Sequence, residues 1–484
     1  MTPPWSSIPD LRCLSASELQ ASGRFAEGSF TRLPIAVLQP HSLEQVIEIV
    51  RLAARENAPL YTVSQGKNWG LGGAIPTVEN CTLVDLSAMD TITHYDATAG
   101  TVRVQPGVTF AQLAAFLEQH ASPWQCSVTG GPSQGSVLGN ALDRGDGTGW
   151  LGDRAQSIFD LTVVLGTGEV VRTGHGAPLA DPIAFHGTPC GPGLTPLFVQ
   201  SNLGIVGEAT VQLESRSRVS LQARYSLASP ADWDWSLRIT QRLMHEHLVH
   251  PREVTYWNQA KWMARVSDQQ TTLNEQLSKE ELCRWLVSFS VASADAAILR
   301  IKRKAVERIV GTPPRGFQLR ICKGKPLHAP TDQNLRSLYW ELDQPVGANP
   351  QPDQDGARAL WVCAAVPYAL GELLHAIHLL ESAALAHGLH PNVGFQVVSH
   401  AAVHIFLLLS YNPTRAGHRE TALACQAEAL EAMDQAGFPQ VRLGIHTMPW
   451  MATTDPAHQA LLSKLKQALD PKGILSPGRY IQVP

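Results

Sequence analysis

Two glycine-rich stretches hold the residues with the clearest chemical possibilities. The first, Gly66-Lys-Asn-Trp-Gly-Leu-Gly-Gly73, follows the short β-forming run Pro59-Leu-Tyr-Thr-Val-Ser64. Its glycines at 66, 70, 72 and 73 let successive backbone N–H groups turn toward one point without Cβ clashes, the geometry of an anion-binding nest. Lys67 adds a cation and Asn68 an amide. The spacing fits neither G-x-G-x-x-G nor G-x-x-x-x-G-K-[ST], and taken alone the loop also reads as a tight connection. The second stretch, 126–154, contains Gly130-Gly-Pro-Ser-Gln-Gly-Ser-Val-Leu-Gly-Asn140 and Asp143-Arg-Gly-Asp-Gly-Thr-Gly-Trp-Leu-Gly-Asp153. A segment this long with little regular structure is usually functional. Asp153, with Asp146 second to it, offers a carboxylate for acid–base work, although an Asp in a glycine-rich turn is also a common surface residue. Gly131–Gly135 fits the G-x-S-x-G nucleophile elbow around Ser133, but the residues after it are too glycine-rich for the helix that the elbow requires. His245, His247 and His250 lack an evident further metal ligand and read as residues near a helix C-terminus.

These loops need a frame. Apolar content of 44% and charged content of 17% describe a globular chain, and 484 residues allow two or three domains. A net charge of −4 gives no electrostatic footprint for nucleic acid. No apolar run reaches membrane-spanning length, and the start, Met1-Thr-Pro-Pro-Trp-Ser-Ser7, lacks signal-peptide character. Eight cysteines without a C-x-x-C pair suit reduced thiols and a cytoplasmic location. Residues 1–33 read as irregular, with a short helix from Ser15. Ser42 starts a helix over 43–56, and Thr109 caps one over 110–120. Strands are expected at 59–64, 81–86, 101–105 and 208–213, with a hairpin over 161–172 turned at Gly166-Thr-Gly168. From about 216, strands (221–227, 285–291, 317–322, 360–365, 397–410) alternate with helices (231–247, 292–310, 368–388, 415–436). This rhythm suggests an α+β domain with an antiparallel sheet covered on one face, its halves joined by a loop over 345–355. A helix over 456–469 precedes Asp470-Pro-Lys-Gly-Ile-Leu-Ser-Pro-Gly-Arg479.

The order of these pieces resembles the vanillyl-alcohol oxidase / 4-cresol methylhydroxylase family of flavoproteins. The resemblance rests on Gly66–Gly73, Val104-Gln-Pro-Gly-Val-Thr109, Gly135-Ser-Val-Leu-Gly-Asn-Ala141, Arg144-Gly145 with Gly152-Asp153, Gly168–Gly174, Phe198–Val206 and Asp470–Gly478. It implies an FAD domain of two α+β subdomains, 1–218 completed by 445–484, and a cap or substrate domain at 219–444. It implies cofactor contacts from Gly66, Lys67, Asn68, Trp69, Gly70, Leu71 and Gly72, with Pro106, then from Gly135, Ser136, Gly139 and Asn140, and by backbone from Gly204, Ile205 and Val206. Asp153 takes the place of a carboxylate near flavin N5, the hydride-accepting atom. On the cap run Phe395–Asn412, His404 falls at a position that carries a covalent flavin link in some relatives. His400 and His404 would share a buried strand face with Val398, Ala402 and Phe406, where hydrogen-bonded core histidines are also common.

Where characterised phenol oxidisers hold a phenolate with two tyrosines and an arginine, this chain has Leu71, Leu443 and Gly444. Arg442 is near the arginine's place, and His446 matches a histidine. A buried phenolate would lack partners, so a phenolate-bound para-phenol is not the expected substrate. The expectation is a less charged aromatic or heteroaromatic molecule walled by Trp69, Trp257, Trp361 and Phe395, residues that also read as ordinary core. The implied activity is FAD-dependent oxidation, by an oxidase, dehydrogenase or hydroxylase, with O2 or a redox partner as acceptor. A homodimer is compatible. A flavin-binding protein without turnover and a serine hydrolase are the alternatives.

Overall fold

A computed structural model describes residues 5–15, 18, 32–174, 186–187, 190–266, 278–323, 330–342, 346–347, 350–453 and 455–481. The helix expected from Ser15 lies beyond Glu18 outside the described residues, as do positions 345, 348 and 349 of the expected 345–355 loop, where Pro352–Asp355 forms a single helical turn. The chain divides into two compact units. One comprises 1–147, 151–214 and 444–484, the other 148–150 and 215–443.

The first unit contains a four-stranded and a five-stranded sheet. The smaller runs Arg12–Leu14, Ala36–Gln39, Thr82–Asp85, Leu60–Val63, with the last three strands parallel. The larger runs Ile92–Asp96, Thr101–Val104, Gly204–Gln212, Ile158–Leu165, Val170–Arg172 and is antiparallel. Helix Leu43–Glu56 joins them through a shared core. Ser42 caps it, and its apolar residues recur at three- and four-residue spacing, so Val46, Ile49, Val50 and Ala53 face Leu38, Leu60 and Val84 of one sheet and Val164 and Ile205 of the other. Each large aliphatic so buried contributes about 1.5–3 kcal/mol.

The C-terminal segment completes this unit. After helix Pro456–Leu469, Leu475 pairs in parallel with Leu60, through Leu60 N to Ile474 O at 2.8 Å and Ser476 N to Leu60 O at 2.7 Å. Lys466 fixes the return. Its buried ammonium donates to Asn202 O (2.6 Å) and Leu475 O (2.9 Å) and pairs with Asp470 at 2.7 Å. The Asp470 carboxylate in turn accepts from the backbone N–H groups of Ile474 and Leu475. Burial pulls the Lys466 pKa below the usual lysine value while Asp470 opposes the shift.

The second unit is built on a seven-stranded antiparallel sheet. Its strands run in the order Gln318–Lys323, Val219–Leu227, Trp285–Ser293, Val254–Asn258, Asn392–Val397, Ala402–Tyr411, Arg358–Pro367. One face is core. Tyr256, Val287, Phe289, Phe395, Val397, Ile405 and Leu407 are buried there, and helices Pro230–His245, Ala296–Val310, Leu370–Ala386 and His418–Gln435 pack with these strands. The sequence reading differs at two places. The strand expected over 397–410 is two strands joined by a hairpin turn, closed by Val398 N to Ala402 O at 3.0 Å. Strand Val254–Asn258 and helix Gln259–Val266 were not expected. Asn258, a polar residue at an inward position, hides the alternation, yet it pins the strand to the helix by accepting from Lys261 N (2.9 Å) and Val393 N (3.3 Å).

Because Lys466 and Asp470 are both buried, removing one partner strands a charge. Asp470→Ala is expected to cost about 3–5 kcal/mol. Arg303→Ala, which breaks a half-exposed helical pair with Glu307, is expected to cost at most about 0.5 kcal/mol. Denaturant melts of the two variants against the parent check the contrast, and equal losses would contradict the structural role of the buried pair.

Candidate cofactor site

The first glycine-rich loop leaves strand Leu60–Val63 and folds back on itself, with Leu71 N and Gly73 N both donating to Asn68 O at 3.1 Å. Gly66, Gly70, Gly72 and Gly73 adopt φ of 65°, 79°, 128° and 54°, values that side chains resist. Neighbours press close: a Cβ on Gly72 would stand 2.5 Å from Ile445 Cγ2, and one on Gly139 would stand 2.1 Å from Ser64 Oγ. Trp69 is buried, with the Lys67 ammonium 5.3 Å from its ring centroid.

Helix Val137–Leu142 directs its N-terminus into the same region. Ser136 caps it, accepting from Gly139 N at 2.8 Å and donating to Pro106 O at 2.6 Å. This helix overturns the expectation that the residues after Gly135 are too glycine-rich for one: Gly139 is accommodated because it packs against Ser64, where a side chain cannot fit. The elbow around Ser133 still lacks its strand, since the preceding strand, Trp124–Gln125, ends well before it. Gly66 through Gly72, Pro106 and Gly135 through Asn140 are thus brought together within one unit.

Sequence reasoning missed the residue that ties these loops. Asp143, just past the helix, accepts from Asn68 Nδ2 at 2.6 Å, from Arg479 Nη2 at 3.3 Å, and from the Tyr480 hydroxyl. Asn202 holds the same C-terminal segment by donating to Ser476 O (3.1 Å) and Ile481 O (3.0 Å). His446 lies where Gly444 leaves room, since a Cβ there would be 2.9 Å from the imidazole and 3.3 Å from Leu71 Cα. Burial first, then the Arg479 charge, pushes the His446 pKa down to about 4, so the ring is neutral near pH 7. The signal available for Asp143 was only its place between two glycine-rich segments.

The second loop is pinched by Gly147 N to Gly152 O at 2.7 Å and Arg154 N to Gly145 O at 3.2 Å, which presents Asp153 and Arg154 side by side. One Asp153 oxygen accepts from Gln156 Nε2 at 3.0 Å; the other is buried with no hydrogen-bond partner among the described residues. Arg154 is fully buried, and among the described residues its guanidinium nitrogens also lack a hydrogen-bond partner, as does Arg479 Nη1. Buried polar groups are otherwise almost always paired. Left-handed glycine N–H groups and unsatisfied guanidinium donors are what a dinucleotide diphosphate requires, so the residues present fit the cofactor that the resemblance implies.

Other expected residues lie differently. Ile205 sits in the shared core, and Gly204–Val206 pair with Val163–Leu165; pairing with Thr101–Val104 begins only at Ala209, leaving the other backbone edge of 204–206 without a strand partner. Arg442 and His404 belong to the second unit. His400 is exposed in the hairpin turn with Val398, and not on a strand, while His404 shares its half-buried face with Ala402 and Phe406. The buried face of that strand is Val403, Ile405 and Leu407, because those residues turn toward the helices. Phe395 also lies on the helix-covered face, stacked on Tyr256 at 4.4 Å, and so does not join Trp257 and Trp361 as a wall.

Comparison with known proteins agrees with this construction. Residues 34–174 match an FAD binding domain, and residues 443–480 match the C-terminal domain of FAD linked oxidases. The chain is 30% identical to 1'-carboxy-chondrochloren decarboxylase of Chondromyces crocatus, over 93% of this chain and 90% of that one. It is 23% identical to the 4-cresol dehydrogenase [hydroxylating] flavoprotein subunit of Pseudomonas putida, over 92% and 87%. Its fold matches p-cresol methylhydroxylase with substrate bound at a TM-score of 0.85 and 21% identity, covering 97% of this chain and 94% of that one. The chain therefore belongs to the vanillyl-alcohol oxidase / 4-cresol methylhydroxylase family of FAD-dependent oxidoreductases.

Proposed function

We propose that this enzyme oxidises a small aromatic or heteroaromatic molecule, with Asp153 handling the proton that accompanies hydride loss and the second unit supplying substrate contacts. Bound FAD supplies a two-electron acceptor whose N5 takes hydride. The observation that carries the reading is Asp153, a carboxylate in the glycine-rich loop with one buried oxygen that has no hydrogen-bond partner among the described residues. Such an oxygen can take the proton of a substrate O–H or N–H as the pair of the neighbouring C–H bond departs with its hydrogen. The new double bond keeps the electrons balanced, and O2 or a redox partner reoxidises the cofactor. His446, neutral near pH 7, and Arg442 are the further proposed catalytic residues. Leu71 and Leu443, at the tyrosine positions of phenol oxidisers, and Gly444, at the arginine position, support a substrate other than a phenolate-bound para-phenol.

A second reading follows from the relative described as a carboxy-chondrochloren decarboxylase. Hydride loss from the carbon β to a carboxylate can be balanced by breaking the C–CO2 bond, whose electron pair forms the alkene. Carbon dioxide then leaves, and no base is needed.

Three outcomes are expected. Asp153→Asn should slow anaerobic flavin reduction by about a hundredfold or more while the visible flavin absorbance is retained; unchanged kinetics remove Asp153 from the catalytic set. In the second reading one CO2 is trapped per flavin reduced, and Asp153→Asn has little effect. For His404 the proposal is a covalent bond to the flavin. Acid precipitation should leave the yellow colour with the protein and release it from His404→Ala, whereas colour in the parent supernatant shows that no such bond exists.

A further inference from the structure

The face of the seven-stranded sheet opposite its helix-packed core carries an organised group of cations. Lys261 and Arg265 are four apart on helix Gln259–Val266 and so share one side of it. The Lys261 ammonium is 5.8 Å from the Trp361 ring centroid, and the Arg265 guanidinium is 4.9 Å from that of Trp257. Arg224, on strand Val219–Leu227, stands 5.2 Å from the Trp262 ring. The strand register puts Trp257, Gly394 and Phe406 in one row of this face, and Asn392 and Trp361 in the next. Gly394 makes the approach feasible: a Cβ there would lie 2.5 Å from Lys261 Cδ.

Among the described residues these charges are not neutralised. Among the described residues no carboxylate forms an ion pair with Lys261, Arg265 or Arg224. Among them Lys261 Nζ donates only to the amide oxygen of Asn392, at 3.2 Å. Asn392 is 1% exposed, and its Nδ2, beside that oxygen, has no hydrogen-bond partner among the described residues. Burial, and then the Arg265 charge, pull Lys261 down to about 8, partly offset by Cys363; burial and Arg224 lower Arg265. Half-buried cations that repel one another, next to an amide donor without a partner among the described residues, form a site that suits an anion. Cations laid over tryptophan faces suit an anion carried on a flat apolar body.

We propose that this face binds the carboxylate of an aromatic acid, with Lys261, Arg265 and Asn392 Nδ2 as donors and Trp257 and Trp361 beside the ring. The proposal deepens, and rests on, the reading that the second unit supplies the substrate contacts. It replaces the less charged substrate expected from the lost tyrosines: the anionic group is kept, but its partners lie elsewhere in the chain.

The test is calorimetric binding of phenylacetate, 3-phenylpropionate and 3-(4-hydroxyphenyl)propionate to the holoenzyme, each against its amide, with phenylphosphonate as a separate arm. Each charge-assisted hydrogen bond to the acid favours it by about tenfold or more, so at least one acid should bind that much more tightly than its amide. Lys261→Met and Arg265→Met should abolish the difference with FAD content unchanged, and Lys261→Arg should restore part of it. Acids that bind no better than their amides, or a preference that survives both methionine variants, overturn the proposal. Tighter binding of phenylphosphonate than of every acid overturns it in favour of a phosphate ligand. Flavin reduction by the same compounds is followed in parallel. Reduction by neutral aromatics alone sinks this site while the oxidoreductase reading stands; acids that bind through Lys261 without reducing the flavin leave the site and sink that reading.

Discussion

The cofactor-binding unit depends on one buried ammonium. Lys466 has almost no contact with water, so its charge must be met by protein, and it is met by three groups from separate parts of the unit. The carbonyl of Asn202 lies just before strand Gly204–Gln212, that of Leu475 lies beside strand Leu60–Val63, and Asp470 ends the helix that Lys466 itself occupies. A buried charge with any of these missing is expensive, which makes the arrangement close to all-or-none. It fixes where the chain runs next, toward Arg479 and Tyr480 and their shared carboxylate, Asp143. The glycine-rich loop is then held from both sides, by Asn68 on Asp143 and by Ile445 against Gly72.

Much of this was legible in the chain because the local signals agreed with the tertiary outcome. The Ser42 and Thr109 caps, the Gly166–Gly168 turn and the Gly66–Gly73 loop each satisfy a backbone requirement that few residues meet. What escaped was long-range. Asp143 and Arg479 are polar residues in polar surroundings, and nothing near either in sequence shows that they meet. Nothing near Lys466 in the sequence of its helix marks it as the one lysine there that is buried. The short helix after Ser136 was missed because glycine weakens helices on average, while here Gly139 is required by the Ser64 hydroxyl pressing on it.

The second unit shows the same division. Its alternation of strands and helices was readable, and so was the covering of one sheet face. Which residues lay on which face was not. A hairpin turn at 398–401 interrupts the expected strand, so His400 and Val398 leave it, and on both flanking strands the odd-numbered residues, Phe395 and Ile405 among them, turn to the core. The cations on the opposite face come from a helix and a strand that are distant in sequence, and only the folded register sets Lys261 over Gly394 and beside Trp361.

The pairing of Leu60 with Leu475 also has a consequence for biosynthesis. Thr62 and Ser476, which touch across that seam, are 414 positions apart in the chain. A ribosome therefore delivers the glycine-rich loop long before the residues that close around it, and the whole second unit emerges in between. Domains generally fold as units in the order in which they are made, but here the first unit cannot close in that order. Its early sheets must wait with an open seam while about half the protein is still being translated, and capture of the flavin is deferred until the chain is nearly complete. Contacts of such long range make folding slow, so the waiting state is where this protein is most exposed to aggregation.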